Sequence, residues 1–311
     1  MNGPSVSIII AAKDAEKTIE KCIGSILGLD YKDYELVIVN DGSADRTAEI
    51  LKKYGQKIKI ITNPFPLGPS ESRNLAAREA QSEYLVFIDA DCMVKKDWIC
   101  QLLEGFKAYP FAAACGGSQR LPDDASNFQK KTFLFMKKVG FITEYVKSGS
   151  EIKEVKHNPS CNVMYRREVL LKENGFLKGL WPGEDVELDY RLKKKGYNLV
   201  FNPGAVVYHY RQEGLKPFLK MMYRYGYAQG FLVRRHGLFR KLHFLPLFTI
   251  CAVIFLFYAF SKSLFLGLGL ISASLLFILG YFVFDFSIFI LAVLGSLFWH
   301  VGFLSGLLIN K

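Results

Sequence analysis

From Phe244 to Asn310 the chain carries only two Lys, Arg, Asp or Glu residues, Lys262 and Asp285. A soluble domain must clothe its surface in polar groups, and a run of this length without them cannot do so. The stretch divides into three apolar runs at about 243–260, 264–283 and 286–308, with Lys262 and Asp285 marking two tight turns. At about 1.5 Å per residue each run approaches the ~30 Å of a hydrocarbon core. About three transmembrane helices are therefore expected over 243–311.

The charge lies upstream. The 311 residues include 40 Lys+Arg and 29 Asp+Glu, a net +11, and half of them are hydrophobic. So much apolar surface excludes a disordered chain. Between Arg211 and His243 eight Lys/Arg residues stand against one acid, Glu213. Leu215, Phe218, Leu219, Met222 and Tyr223 form an apolar stripe at helical spacing, with Lys216, Lys220 and Arg224 on other faces. A basic amphipathic helix beside apolar runs reads as an interfacial segment, 212–242, on anionic membrane lipid. Lipid thus accounts for the basic excess, and no nucleic-acid partner is expected. The positive-inside rule places the preceding domain in the cytoplasm. The start, MNGPSVSIII, lacks the basic region and long apolar run of a signal peptide. The expectation is a multi-pass protein of the cell membrane, with Lys311 on the far side if there are three spans.

Residues 1–211 alternate strand and helix signals. Val6–Ile10, Glu35–Val39, Lys57–Thr62 and Tyr84–Ile88 read as strands. Ala15–Leu27, Asp45–Tyr54, Ser70–Gln81 and Asp97–Phe106 read as helices, with Asp45 a suitable N-cap. This order predicts an α/β domain with a mostly parallel sheet and helices on both faces. Asn162–Arg166, Asn198–Phe201 and Ala205–Tyr208 supply later strands and Glu184–Lys195 a later helix. The stretch 118–160 is irregular, with Lys130, Lys131, Lys137 and Lys138 among Phe133, Phe135 and Phe141. It fits a lid, an acceptor-binding insertion or a helix near the membrane. The six cysteines, Cys22, Cys92, Cys100, Cys115, Cys161 and Cys251, form no C-x-x-C pair. That spacing argues against a zinc site or a disulfide framework and for buried thiols in a reducing compartment.

In sheets of this kind ligands bind beyond the carboxyl ends of the strands. Asp89 and Asp91 leave the end of Tyr84–Ile88, and such a pair suits Mg²⁺ or Mn²⁺ shared with a substrate phosphate. Asp41, in Asn40-Asp41-Gly42-Ser43, ends another strand, either as a turn residue or as an acceptor for a nucleobase. Gly68-Pro69-Ser70 opens a helix whose N–H groups, with Arg73, could meet phosphate; alternatively Ser70 is an N-cap and Arg73 pairs with Glu71 or Asp91. Glu184 and Asp185 begin a helix after Trp181-Pro182-Gly183. The helix dipole alone favours acids there, and a carboxylate there can also serve as general base. His209, at a late strand end, is a possible metal ligand or a structural residue.

Taken in order, Val6–Ile10, Val39–Asp45, Gly68–Ser70 with Arg73-Asn74, Asp89-Ala90-Asp91, Gly183-Glu184-Asp185 with Leu188 and Arg191, and His209 resemble the family-two inverting glycosyltransferases. The resemblance covers about 1–211 and implies a GT-A nucleotide-sugar-binding fold. It assigns Asp41 to the base of a nucleotide sugar, a UDP-sugar as first expectation, and Asp89 to the sugar and ribose. Asp91, with His209, would bind Mg²⁺ or Mn²⁺, and Arg211 would approach the diphosphate. Asp185 would be the general base, with Glu184 on the acceptor side. Two departures stand out: Ala11 replaces the usual Pro, and Asp14-Ala15-Glu16 replaces an Asn-Glu-Glu run. Processive polysaccharide synthases of the family carry Q-x-x-R-W before their spans, where this chain has Tyr223-Arg224-Tyr225-Gly226-Tyr227. The resemblance therefore implies addition of single sugars to a lipid-linked or polyprenyl acceptor. A polyprenyl-phosphate sugar synthase and a non-catalytic membrane protein with a nucleotide-sugar domain are the competing readings.

Overall fold

The structure, a computed structural model, describes residues 4–142, 151–281 and 285–309. Residues 143–150, 282–283 and 311, on which parts of the irregular stretch, the second apolar run and the far-side expectation fall, lie outside the described residues. The chain divides into two compact units: 1–125 with 142–210, and 126–141 with 211–311.

The first unit is built on a nine-stranded sheet. Its strands are β1 (Val6–Ala12), β2 (Tyr34–Asp41), β3 (Lys59–Asn63), β4 (Tyr84–Asp89), β5 (Cys92–Val94), β6 (Ala112–Arg120), β7 (Lys153–Val155), β8 (Val163–Arg166) and β9 (Asn198–His209). The order is β3-β2-β1-β4-β8-β6-β9-β5, with β7 on β9. The β3-β2-β1-β4 half is parallel, whereas β8, β5 and β7 pair antiparallel with their neighbours. The sheet is thus mixed: parallel where strand and helix signals alternate, antiparallel where that alternation fades.

The helices are α1 (Ile19–Leu27), α2 (Thr47–Lys52), α3 (Pro69–Glu79), α4 (Trp98–Ala108), α6 (Arg167–Lys172) and α7 (Glu184–Lys194) in this unit, and α5 (Asn127–Val139) in the other. β1 shows why both faces need covering. Ile8 and Ile10 enter one apolar cluster with Ile19, Cys22, Trp98 and Ile99. Ile9 enters the opposite cluster with Ala76, Phe87 and Leu188. A strand buried on both faces reads as a continuous apolar run, as Ile8-Ile9-Ile10 does.

α1 starts at Ile19 rather than Ala15 because the intervening turn is tied to the loop after β2. Ala15 N–H donates to Thr47 Oγ1 (2.8 Å), Glu16 N–H to Asp45 Oδ2 (2.9 Å), and Ala44 N–H to Asp14 Oδ1 (2.8 Å). The polar residues that replace the family's usual run thus lace two loops at the sheet's carboxyl edge.

The second unit holds α5, α8 (Leu215–His236), α9 (Leu245–Lys262), α10 (Leu264–Tyr281) and α11 (Phe286–Leu308). Ser126 caps α5, accepting from Gln129 N–H at 3.2 Å while Ser126 N–H donates to Gln129 Oε1 at 3.0 Å. Within the unit the Phe135 ring of α5 meets Phe218 of α8 edge-on at 5.6 Å. That contact places α5 against α8. Lys262 ends α9 and Asp285 caps α11 through Ser287 and Ile288 N–H, so both turn markers hold. Among the described residues two helical stretches are long and apolar enough to cross a membrane, Lys241–Lys262 and Phe286–Leu308.

The apolar stripe of α8 has a partner in this unit. A Cβ on Gly226 would meet Trp299 O at 1.9 Å, and one on Gly230 would meet Phe303 O at 2.0 Å. Reciprocally, Cβ atoms on Gly302 and Gly306 would meet Tyr223 O and Tyr227 O, each at 2.0 Å. Two small-xxx-small motifs, Gly226/Gly230 and Gly302/Gly306, therefore let the backbones of α8 and α11 touch. The matched positions ascend together on both helices, so the pair runs parallel.

Candidate functional site

The site lies at the carboxyl ends of β4 and β2, where α3, β5, β9 and α7 bring further side chains. β4 delivers Asp89, and β5 begins three residues past it. Antiparallel pairing of β5 with β9 sets Cys92 opposite His209. His209 Nε2 consequently lies 3.3 Å from Asp91 Oδ1. Asp89, Asp91 and His209 each offer one ligand atom, all within 4.8 Å of one another. Two carboxylates and an imidazole fit Mn²⁺ well and Mg²⁺ acceptably. The expected ligands Asp91 and His209 are thus brought together, with Asp89 beside them.

Arg73 takes neither expected partner. Its guanidinium donates to Asp89 Oδ1 at 2.6 Å and to Glu184 Oε1 at 2.5 Å. It is buried, with its Cζ 5.7 Å from the centre of the Phe176 ring. Glu71 instead accepts from Gly179 N–H at 2.9 Å. Arg73 therefore joins the D-x-D pair to the E-D pair, and no phosphate is needed to explain its charge. Ser70 also departs from the N-cap expectation, donating to Leu180 O at 2.5 Å.

Glu184 and Asp185 differ in environment although they are adjacent. Glu184 is buried; its Oε1 accepts from Arg73 and, at 3.2 Å, from Ser160 Oγ. Its Oε2 is buried with no hydrogen-bond partner among the described residues. Burial, helped by the charge of Asp185 and opposed by Arg73, pushes its carboxyl up to about 7. Asp185 keeps 16% of its side chain exposed, against 3% for Glu184, so Asp185 is the acid that can reach a second molecule. Ser160 N–H and Val186 N–H aim it, at 3.0 and 2.8 Å.

Behind Asp185 stand two residues that the sequence reading did not single out. His157 Nδ1 lies 2.9 Å from Asp189 Oδ2, and His157 Nε2 lies 3.9 Å from Asp185 Oδ2. Asp189 is fully buried and also accepts from Asn158 N–H (2.7 Å) and Tyr165 OH (2.9 Å). Burial raises its pKa despite those donors. The i, i+4 spacing of Asp185 and Asp189 on α7 was the one signal available in sequence; His157 gave none.

Asp41 is buried at the end of β2 and fully engaged. It accepts from Asn63 Nδ2 (2.7 Å), Leu67 N–H (2.8 Å) and Gly68 N–H (2.9 Å). Burial pushes its pKa up, but these donors outweigh it and hold the carboxyl below the usual range. Gly42 makes the approach possible: its φ is +60°, and a Cβ there would sit 2.7 Å from Pro66 N. Asp41 thus fastens the loop before α3 rather than the turn that follows β2, where Ser43 N–H donates to Asn40 Oδ1. Arg211 belongs to the second unit, where its guanidinium carbon lies 5.8 Å from the centre of the Phe133 ring and its carbonyl accepts from Gln129 Nε2 at 2.7 Å.

A sequence model described as glycosyl transferase family 2 matches residues 7–172, just over half of the chain. Poly-beta-1,6-N-acetyl-D-glucosamine synthase of Staphylococcus epidermidis is 25% identical over 228 residues, 72% of this chain and 54% of its own length. The chain thus spans about half the length of that relative. A Methanococcus voltae transferase named as acting on dolichyl N-acetyl-alpha-D-glucosaminyl phosphate is 27% identical over 271 residues, 80% of this chain and 81% of that protein. Among solved structures, a mannosyltransferase from Pyrobaculum calidifontis, in complex with GDP-Man and Mn²⁺, superposes with a TM-score of 0.74 at 16% identity, covering 99% of this chain and 88% of that one. TarS of S. aureus with UDP-GlcNAc gives 0.54 at 17% identity over 78% and 75% of the two chains.

Proposed function

We propose that this chain, which belongs to glycosyl transferase family 2, moves a single sugar from a nucleotide sugar to a hydroxyl of a lipid-linked acceptor, with inversion at the anomeric carbon. The observation that carries the reading is the Arg73 bridge. One buried guanidinium fixes Asp89 and Glu184, and with them the metal-ligand set and the Glu184-Asp185 pair, in a single array. Inverting transfer needs a base on one side of the sugar and charge neutralisation on the other.

Asp185 takes the acceptor hydroxyl proton. The freed oxygen bonds to the anomeric carbon as the bond from that carbon to the diphosphate oxygen breaks. Glu184 keeps a neutral or singly shared charge beside Asp185, and Arg73 holds it in place. His157, oriented by Asp189, steadies the Asp185 carboxylate. Asp91 and His209, with Asp89, would hold Mn²⁺ or Mg²⁺, which when bound neutralises charge on the departing diphosphate. Asp41 would shape the donor pocket through the loop before α3.

A UDP-sugar is the leading donor, in keeping with TarS and UDP-GlcNAc, and GDP-Man is the alternative that the mannosyltransferase suggests. The Methanococcus relative supports a lipid-linked acceptor. We place the protein in the cell membrane as a multi-pass protein, its catalytic unit on the cytoplasmic side, from the basic residues of 211–243.

The test is transfer of labelled sugar from UDP-, GDP- and dTDP-sugars into polyprenyl-lipid extract, using membranes carrying wild type or Asp185→Asn. Label in the lipid fraction, dependent on metal and lost in the variant, is expected. Undiminished transfer by Asp185→Asn would remove the base and favour an acceptor that is already ionised, a lipid phosphate.

A further inference from the structure

Cys92 and Cys161 lie far apart in sequence and take no part in the proposed transfer. The fold nevertheless brings both to His209. Cys92 faces His209 across the β5–β9 pairing. Cys161 precedes β8, whose pairing with β4 sets Val163 opposite Phe87. Cys92 Sγ, Cys161 Sγ and an imidazole nitrogen of His209 all lie within 4.8 Å of one another. Asp91 Oδ1, which belongs to the carboxylate group around the same imidazole, lies 3.3 Å from His209 Nε2 and 3.9 Å from Cys92 Sγ.

Zinc bonds of about 2.3 Å to sulfur and 2.0–2.2 Å to nitrogen or oxygen give ligand–ligand separations of roughly 3.3–3.8 Å at tetrahedral angles. The Asp91–His209 distance falls within that spacing, and the Asp91–Cys92 distance, at 3.9 Å, lies just beyond it. The widest thiol–imidazole gap needs to close by only about 1 Å to meet it. Both thiols are buried, whereas Asp89 and Asp91 are half-buried. One imidazole is therefore shared by a soft donor set and a hard one.

We propose that Cys92, Cys161 and His209 bind Zn²⁺, and that Zn²⁺ bound there withdraws His209 from the cation that supports transfer. Each thiol releases its proton to solvent as its sulfur ligates the ion. Soft thiolates prefer Zn²⁺ over Mg²⁺ or Mn²⁺, so the protein would discriminate among cations by which donors they engage. The binding claim rests on the geometry alone, and only its inhibitory consequence rests on the proposed function.

The probe is Co²⁺ added to the chelator-treated full chain in detergent, because a thiolate bound to Co²⁺ gives a near-ultraviolet charge-transfer band that carboxylates do not. One equivalent of Co²⁺ should raise the band, and one equivalent of Zn²⁺ should abolish it. Cys92→Ser/Cys161→Ser should lack it. Co²⁺ binding without the band in wild type, or a band that survives in the double variant, overturns the site. Cys161→Ser should retain Mn²⁺-supported transfer and tolerate at least tenfold more Zn²⁺ than wild type. Equal Zn²⁺ sensitivity in that variant overturns the inhibitory consequence. Should wild type transfer no sugar at all, the proposed function fails while the spectrum still decides the site.

Discussion

Glu184→Gln tests the electrostatics of the site most directly. The folded protein holds this carboxyl at about 7, against an ordinary value of 4.5, chiefly because it is buried. The proton is thus bound more tightly folded than unfolded. Its stabilising contribution is complete below pH 4.5 and is lost as the pH rises through 7. Between pH 5 and pH 8 this single group should remove about 2–3 kcal/mol of stability, at ~1.4 kcal/mol per pKa unit. Gln keeps an oxygen to accept from Arg73 but does not titrate, so the variant should lack this part of the pH dependence. For a unit of nearly 200 residues, about 2–4 °C of Tm per kcal/mol is expected. The fall in Tm from pH 5 to pH 8 should then be roughly 5–10 °C smaller in the variant. Thermal unfolding followed by intrinsic fluorescence in detergent, for both proteins at both pH values, measures it, and titrating groups away from Glu184 cancel in the comparison. Parallel pH profiles for the two proteins would refute the argument.

Three further outcomes are expected. His157→Ala leaves Asp185 intact but unsteadied, so kcat should fall by up to about 100-fold while the donor KM holds, a split that steady-state kinetics resolves. Gly226→Leu drives a side chain into the backbone of α11 and should cost at least about 3 kcal/mol, read as a lowered Tm and faster proteolysis at 211–243. Chelation should abolish donor binding measured by calorimetry, and added Mn²⁺ should restore it. Binding that is indifferent to chelation would remove Asp91 and His209 as ligands that matter for the donor.

The parallel half of the sheet was legible because β1, β2 and β4 are continuous apolar runs and α1 and α4 each show an apolar side. β5 and β6 escaped notice, and α5 was left as one of three alternatives, for different reasons. β5 is three residues long, β6 includes Gly116 and Gly117, and α5 mixes lysines with phenylalanines so that no single face stands out. Asp89, Asp91, Glu184 and Asp185 could be found because each pair is local in sequence and sits at the end of a recognisable strand or the start of a helix. The partners of Arg73 could not, since Glu184 lies 111 residues away and only the tertiary fold joins them. The cysteines show the same limit. Spacing argued against a metal site, but spacing tests only ligands contributed by one local segment, whereas Cys92, Cys161 and His209 come from three.

The glycine contact between α8 and α11 has a consequence for how the second unit meets lipid. Two helices whose backbones touch over parallel stretches share one inclination and cannot tilt separately. α8 carries Lys216, Lys220 and Arg224 in its first half. Standing α11 upright in a bilayer would draw those cations toward hydrocarbon, at about 2.5–3.5 kcal/mol for each one that reaches the centre. Laying the two helices along the surface keeps every charge among headgroups. The glycines thus bind the fate of an uncharged helix to that of a charged one: α8 and α11 enter the membrane, or rest upon it, as a raft of two.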